Sequence, residues 1–150
     1  MPLTRFLVVV AVVIGVSGCE SSSSPTGPST TAGPLNGTWA GTLTRAGATQ
    51  TLRLVLTDTV FGSGSVSTGT YAATDGAGTS TGSVGGIALN GVVSFTLKPS
   101  VPPVCPTGST LTVAPGDMLL SLTLTGQQMS GQAVIVQCAA EALGTVTLAR

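Results

Sequence analysis

The sequence predicts an all-β fold, an antiparallel up-and-down barrel of about eight strands, with a β-sandwich as the alternative. From residue 35 onward, apolar residues alternate with Thr and Ser at a period of two, as is typical of half-buried antiparallel strands. Turn sequences separate these runs, and no helical period interrupts them. A barrel or a sandwich is expected because either arrangement protects the edge strands.

The alternating runs define the strands in order along the chain. In the first run Trp39 and Leu43 share one face, and in the second Leu54 lies on the face opposite Arg53 and Val55. Later runs repeat this alternation, with Thr and Ser on the outer face. The predicted strands are 37–46, 49–60, 64–73, 78–89, 92–98, 109–113, 117–125, 129–137 and 144–150.

Short turn sequences between successive strands favour the barrel over the sandwich. Asn90-Gly91 is the strongest hairpin sequence, because both residues accept the positive φ angles of a two-residue turn. Hairpins that join consecutive strands give an up-and-down order, and the first and last strands are expected to pair and close the sheet. The other predicted turns are Ala46-Gly47, Asp75-Gly76, Thr125-Gly126 and Leu143-Gly144.

The first 18 residues are predicted to be a bacterial secretion signal. Arg5 precedes an apolar run of 11 residues, which is too short for a transmembrane helix of about 20 residues. The sequence Val16-Ser17-Gly18-Cys19 resembles the lipobox of bacterial lipoproteins. This resemblance implies cleavage before Cys19, acylation of Cys19 and anchoring in a membrane. The residue after the cysteine is Glu20 and not Asp, so the resemblance favours delivery of the protein to the outer membrane over retention in the inner membrane.

Residues 19–35 are predicted to be a disordered tether between the lipid anchor and a folded domain at 36–150. They consist mostly of Ser, Thr, Pro and Gly and contain almost nothing that can be buried. A flexible chain of this length has an end-to-end distance of about 20 Å. The domain is therefore expected close to the lipid surface.

The predicted first strand begins with Gly37-Thr38-Trp39. This opening resembles the Gly-x-Trp motif shared by lipocalins and the avidin/streptavidin group, and residues 36–150 resemble small meander barrels of bacterial lipoproteins of unknown function. The resemblance implies that Trp39 plugs the closed end of a barrel. It also implies that a basic residue from the last strand, here Arg150, covers the tryptophan.

Two cysteines remain once Cys19 is assigned to the lipid anchor. Cys105 lies in the proline-rich connection VPPVCPTG, and Cys138 follows the apolar run AVIVQ. Two cysteines in an exported domain most simply form a disulfide. A redox or metal role would need a CxxC pair or further nitrogen and sulfur ligands, which the sequence lacks.

The composition argues against catalysis and nucleic-acid binding. The chain has no His, and its five basic and five acidic residues cancel, so it lacks both the usual general base and a basic surface. The acids Asp58, Asp75, Asp117 and Glu141 are isolated in the sequence and are interpreted as turn residues rather than as a catalytic pair. No enzyme activity, cofactor or metal is expected.

The remaining hypotheses concern binding and architecture. The first is a membrane-anchored domain with a structural role or with a small apolar ligand in the barrel, whose lining is predicted to be Trp39, Leu54, Tyr71, Phe95 and Leu122. The second is a protein-interaction module, such as a barrel that inhibits a protease with its N-terminal segment. The expected partners are membrane lipid through Cys19 acylation and either an apolar ligand or an envelope protein.

Overall fold

The computed structural model describes residues 32–105, 116–138 and 140–150. Within these residues the chain forms eight β-strands and no helix. The predicted strand 109–113, the signal segment and residues 19–31 of the predicted tether lie outside the described residues. The strands are β1 Gly37–Arg45, β2 Ala48–Phe61, β3 Gly64–Asp75, β4 Gly78–Leu89, β5 Val92–Pro99, β6 Met118–Thr125, β7 Gln128–Val136 and β8 Glu141–Ala149.

The eight strands form one closed barrel in which neighbours in sequence are neighbours in space. Every adjacent pair is antiparallel, and β1 pairs with β8 from Ala40 opposite Ala149 to Arg45 opposite Gly144. This closure leaves no edge strand in the sheet. The predicted up-and-down barrel is thus confirmed, and the sandwich alternative is excluded.

The two ends of the barrel differ in what they carry. The tryptophan end contains Trp39, the start of β1, the end of β8 and the turns β2–β3, β4–β5 and β6–β7. The disulfide end contains the other turns and the long β5–β6 connection, which is linked to the β7–β8 connection by Cys105–Cys138.

The hairpin turns explain why successive strands pair in order. Ala46 and Gly47 have φ angles of 40° and 81°, and Asn90 and Gly91 have φ angles of 51° and 80°. Two consecutive positive φ angles define the turn whose twist matches that of antiparallel strands. The turn predicted at Leu143-Gly144 is wrong, because both residues lie within β8.

The position of β8 follows from its pairing with β7. Val136 lies opposite Glu141, so the two strands continue pairing up to a short connection at residues 137–140. Gly144 therefore faces Ala133 in the ladder rather than ending a hairpin. The glycine is needed for space, because a Cβ atom there would come 2.8 Å from the Thr44 carbonyl oxygen in β1.

The inner faces of all eight strands form a single apolar core. Its largest fully buried side chains include Trp39, Phe95, Leu43, Leu54 and Leu122. Outward positions of the same strands are mostly Thr and Ser, as the alternation predicts. The large side chains fill the interior that the strands enclose.

Candidate functional site

The tryptophan end of the barrel is closed by Leu35, which lies just before β1, and by Trp39 of β1; these two residues are called the plug. Leu35 and Trp39 are both fully buried, and the indole Nε1 of Trp39 donates a hydrogen bond of 2.9 Å to the Leu35 carbonyl. Leu35, which the sequence analysis assigned to the tether, thus packs in the core of the barrel. Ala32, the first described residue, already forms a bridge with Thr59 of β2.

A buried carboxylate holds this plug in place. Asp58 is 4% exposed, and its two carboxylate oxygens accept hydrogen bonds from the Leu35 amide at 3.0 Å and from the Ser67 hydroxyl at 2.6 Å. The Gly33 amide also donates to the Asp58 backbone carbonyl at 3.1 Å. Burial of a carboxylate is tolerated because hydrogen bonds replace its hydration. Asp58 is therefore a structural clamp on residues 33–35.

Arg150 covers the outside of the same end. Its guanidinium carbon lies 5.2 Å from the centre of the Trp39 ring, within the range of a cation–π contact. The guanidinium also donates to the carbonyl oxygens of Pro34 and Asn36, at 3.2 and 3.0 Å. The predicted contact between Arg150 and Trp39 is thus present, and it joins the last residue of the chain to the plug.

The interior is the place where the sequence predicts a ligand. All five predicted lining residues face inward, and each is at most 3% exposed: Trp39, Leu54, Tyr71, Phe95 and Leu122. They belong to one contiguous core cluster, so they pack against each other and against their neighbours. Their role in ligand binding stays a prediction.

A small pocket opens between the strands at the disulfide end. Its volume is about 140 Å³, and Tyr71, Met118 and Ile135 form its apolar part, while Arg45 and Gln50 are polar members of its lining. Typical small-molecule sites measure roughly 300–1,000 Å³. Of the five predicted ligand residues, Tyr71 is the one that lines this mouth.

Two of the acidic side chains, Asp75 and Asp58, have structural hydrogen-bond partners. Asp75 borders the turn after β3, as expected, whereas Asp58 lies within β2 and is buried, so its interpretation as a turn residue is wrong. Asp75 accepts hydrogen bonds from Gln50 Nε2 at 2.6 Å and from the Ala77 and Gly78 amides at 2.9 and 3.2 Å. The Gln50 hydrogen bond, followed by those of the turn amides, lowers the pKa of Asp75 from its usual value of 3.8. Asp58 lies at the opposite end of the barrel, so these two carboxylates form no pair.

The described part of the chain contains no group of three or more His, Cys, Asp or Glu side chains arranged to hold a metal ion. In the same residues no helix has the length and apolarity needed to cross a membrane.

The disulfide predicted between Cys105 and Cys138 is present. Their Cα atoms lie 5.2 Å apart, and the bridge joins residues separated by 33 positions. It ties the loop after β5 to the connection after β7 at the disulfide end. Because Gly116 donates to the Val136 carbonyl at 2.7 Å, and Val136 donates back to the Asp117 carbonyl at 2.9 Å, the same region is also joined through its backbone.

The N-terminal segment from Ala32 onward is fixed to the barrel, which bears on the protease-inhibitor hypothesis. Hydrogen bonds from Gly33, Leu35 and Trp39 hold this stretch in place. These residues are therefore part of the folded barrel domain, and the protease-inhibitor hypothesis stays a prediction. Residues 1–31 lie outside the described residues.

The outer wall carries features that the sequence analysis did not single out. A depression of about 430 Å³ lies over β4 to β7, with Ile87, Leu119 and Val134 among its lining residues. Ile87 and Leu89 occupy outward positions of β4, whereas the small residues Gly86 and Ala88 face inward. In the sequence of β4, large apolar residues therefore occupy the outward positions and small residues the inward ones. This pattern could have indicated an apolar outer surface.

The structure defines the class of the protein as an eight-stranded antiparallel up-and-down β-barrel with one disulfide. Comparison with models of known protein families, with curated proteins and with solved structures yields no match to this chain.

Proposed function

We propose that this chain is a lipid-anchored lipoprotein of the bacterial cell envelope, and that its barrel is a non-enzymatic domain with a structural or interaction role. The anchor is Cys19, in the lipobox-like sequence Val16-Ser17-Gly18-Cys19. The observation that carries the proposal is this lipobox-like sequence, which lies at the end of an apolar run of 11 residues preceded by Arg5. The chain that follows it joins the barrel at the tryptophan end, where Ala32 pairs with Thr59.

The non-enzymatic part of the proposal rests on the packing of the interior and on the partners of the acids. Trp39, Leu54 and Phe95 fill space that a substrate would need. Asp58 and Asp75 are committed to hydrogen bonds that stabilise the plug and a turn. An enzyme needs a reachable reactive group in a site that admits its substrate, and these residues do not supply one.

Lipid attachment is tested by expressing the full chain in a bacterial host and labelling it with an alkyne-bearing fatty acid. We expect label on the wild-type chain and none on Cys19→Ala, because the diacylglyceryl group is attached through the Cys19 sulfur. The matched control is the double variant Cys105→Ser/Cys138→Ser, which removes the other two thiols and should keep the label. Equal labelling of wild type and Cys19→Ala would contradict the anchor.

The preference for the outer membrane has its own test. Glu20 follows the acylated cysteine, and we expect the wild-type chain to co-sediment with outer-membrane vesicles after separation of the two membranes. Glu20→Asp should move the protein to the inner-membrane fraction. The assignment is wrong if wild type already fractionates with the inner membrane.

A second candidate function is the binding of a small apolar ligand at the disulfide end, where the pocket of about 140 Å³ lined by Tyr71 has room for only a short chain. Ala73 lines that pocket, so Ala73→Leu should fill it and abolish heat release on titration with short-chain fatty acids. Leu143→Ala on the exposed outer surface of β8 is the control and should bind like wild type. No heat release from the folded wild-type protein would remove this candidate.

A further inference from the structure

Five large apolar side chains are exposed on the outer surface at the tryptophan end. Their exposed fractions range from 44% to 63%, whereas most other outward positions of the barrel are Thr or Ser. Exposed apolar surface that is contiguous marks a contact site more often than scattered apolar residues do. We call this set the apolar patch; its members are Phe61, Val66, Ile87, Leu89 and Val92.

The strand register makes the patch contiguous. Phe61 lies opposite Gly64, Gly64 lies opposite Leu89, and Leu89 lies opposite Val92, which gives one row across β2 to β5. Val66 lies opposite Ile87 in the next row on the same outer face. Gly64 carries no side chain, so nothing interrupts the row between Phe61 and Leu89. The 430 Å³ depression over β4 to β7 begins at Ile87 and extends the patch around the wall.

The chain that leads from Cys19 reaches the barrel beside this patch. Ala32 pairs with Thr59, and Thr59 lies opposite Val66, which is a member of the patch. Ala32 is only 13 positions after Cys19 in the sequence. A flexible chain of that length has an end-to-end distance of about 20 Å. An acyl anchor at Cys19 therefore holds the tryptophan end, rather than the disulfide end, near the lipid.

The distribution of charged side chains also favours contact between the tryptophan end and the lipid. Among the described residues of the tryptophan end, Asp58 is buried and Arg150 is the exposed charged side chain. Arg53 lies midway along β2 and faces outward. The other charged side chains of the described residues lie on strand ends or connections at the disulfide end: Arg45, Asp75, Lys98, Asp117 and Glu141. Contact of the tryptophan end with a membrane thus buries no exposed Asp or Glu side chain of the described residues, and the exposed Arg150 guanidinium suits anionic headgroups.

We infer that the apolar patch is a membrane-contact surface, which seats the barrel on the lipid bilayer with its disulfide end pointing away. This inference rests on the proposed lipid anchor at Cys19. Because the tether makes the second contact intramolecular, the patch meets the lipid at an effective concentration on the order of millimolar, and weak intrinsic affinity is enough. Phe61 and Leu89 enter the boundary between headgroups and acyl chains, where amphipathic surfaces bind.

The test uses the acylated full chain reconstituted in vesicles of phosphatidylethanolamine and phosphatidylglycerol, with or without lipid brominated near the headgroup. Phe61→Trp adds a reporter in the patch, while the native Trp39 is fully buried in the plug. Leu143→Trp is the matched control, because Leu143 is 71% exposed on the outer face near the disulfide end. We expect the added emission of Phe61→Trp to shift to the blue and to lose most of its intensity with brominated lipid. Leu143→Trp should show neither effect.

The outcomes separate the inference from the anchor on which it rests. If the chain carries no acyl group, the proposed lipoprotein function fails and the inference falls with it. If the acylated chain is vesicle-bound but Phe61→Trp is quenched no more than Leu143→Trp, the anchor stands and the membrane-contact surface is wrong. A blue shift that depends on protein concentration and is insensitive to brominated lipid would show that a second copy covers the patch instead.

Discussion

One buried carboxylate determines how the chain enters the barrel. Asp58 accepts hydrogen bonds from the Leu35 amide and the Ser67 hydroxyl, and Leu35 in turn accepts the indole hydrogen bond of Trp39. Arg150 closes the set from outside, against the ring of Trp39. The plug is therefore held by residues that are far apart in the sequence: Asp58 in β2, Ser67 in β3 and Arg150 after β8.

Removal of the Asp58 carboxylate should loosen the plug. Asp58→Ala leaves the Leu35 amide without its acceptor, and we expect a loss of about 1–3 kcal/mol in the free energy of unfolding. Hydrogen exchange at the Leu35 amide should become faster than in wild type. Ser67→Ala is the comparison, since it removes one donor and keeps the Leu35 hydrogen bond. Unchanged exchange at Leu35 in Asp58→Ala would contradict the clamp.

Asp75 should make the stability depend on pH in the acid range. Its pKa is lowered in the folded state, chiefly by the Gln50 hydrogen bond. A lowered folded pKa gives stability that is complete above the unfolded value, near 3.8, and is lost as the pH falls through the folded pKa. Asp75→Asn should therefore unfold at a lower temperature than wild type at neutral pH, and the difference should vanish in strong acid. Thermal unfolding of both proteins across pH measures this, and a constant difference would contradict it.

At the scale of strands, closure of the barrel depends on small residues where neighbouring backbones meet. Gly41 of β1 lies opposite Leu148 of β8, and a Cβ atom on Gly41 would overlap the Thr147 carbonyl oxygen. Larger side chains at that position would force the first and last strands apart. The sequence showed this glycine as part of an alternating run but not what it faces.

Gly41→Ala should weaken the β1–β8 pairing. Because the added methyl meets rigid backbone, we expect a loss of about 1–3 kcal/mol in the free energy of unfolding. Gly85→Ala in β4 is the control, since a Cβ atom there has open space around it. The control should be neutral or should stabilise by up to about 1 kcal/mol through the unfolded chain. Urea denaturation measures both, and equal stability of the two variants would contradict the closure argument.

The disulfide links the β5–β6 and β7–β8 connections, and it stabilises the fold by restricting the unfolded chain. With the cysteines 33 positions apart in the sequence, the entropic model gives about 3–4 kcal/mol of stabilisation. The double variant Cys105→Ser/Cys138→Ser should lose that amount in urea denaturation, and reduction of wild type should lower its stability to a similar value. A reductant without effect on wild-type stability would contradict this contribution.

At the scale of the whole molecule, buried side chains from many strands occupy the interior of the barrel. An eight-stranded barrel is just wide enough for side chains to fill or for one small ligand. Here the inner rows of β2, β5 and β6 belong to one core together with Trp39 and Met129. The available contact surfaces are then the outer wall and the two ends.

Leu54→Ala tests this packing directly. Truncation of a fully buried leucine should cost about 2–5 kcal/mol and leave a cavity, because rigid neighbours collapse only in part. Benzene should then shift the NMR signals of the neighbouring core methyls in Leu54→Ala, while those of wild type stay unchanged. Fatty-acid binding to the wild-type core, with no gain on truncation, would show that the barrel is hollow.

The sequence by itself determined the fold class, the positions of most strands and the disulfide. Period-two alternation and positive-φ turns such as Asn90-Gly91 are local properties, and they are sufficient for a meander. Sequence also indicated that Arg150 covers Trp39, through resemblance to a short motif. The turn predicted at Leu143-Gly144 was wrong. A glycine that makes room for a neighbouring strand cannot be distinguished by sequence from a glycine in a turn.

The tertiary structure decided what depends on residues far apart in the chain. Leu35 became core rather than tether because Asp58 and Trp39 hold it there. Phe61 and Leu89 became neighbours because the register carries one row across four strands. The burial of a side chain and the clustering of side chains on the surface depend on contacts between residues far apart in the sequence, so a local sequence pattern does not predict them. Closure of β1 on β8 sets those contacts, and most charged side chains of the described residues then lie at the disulfide end.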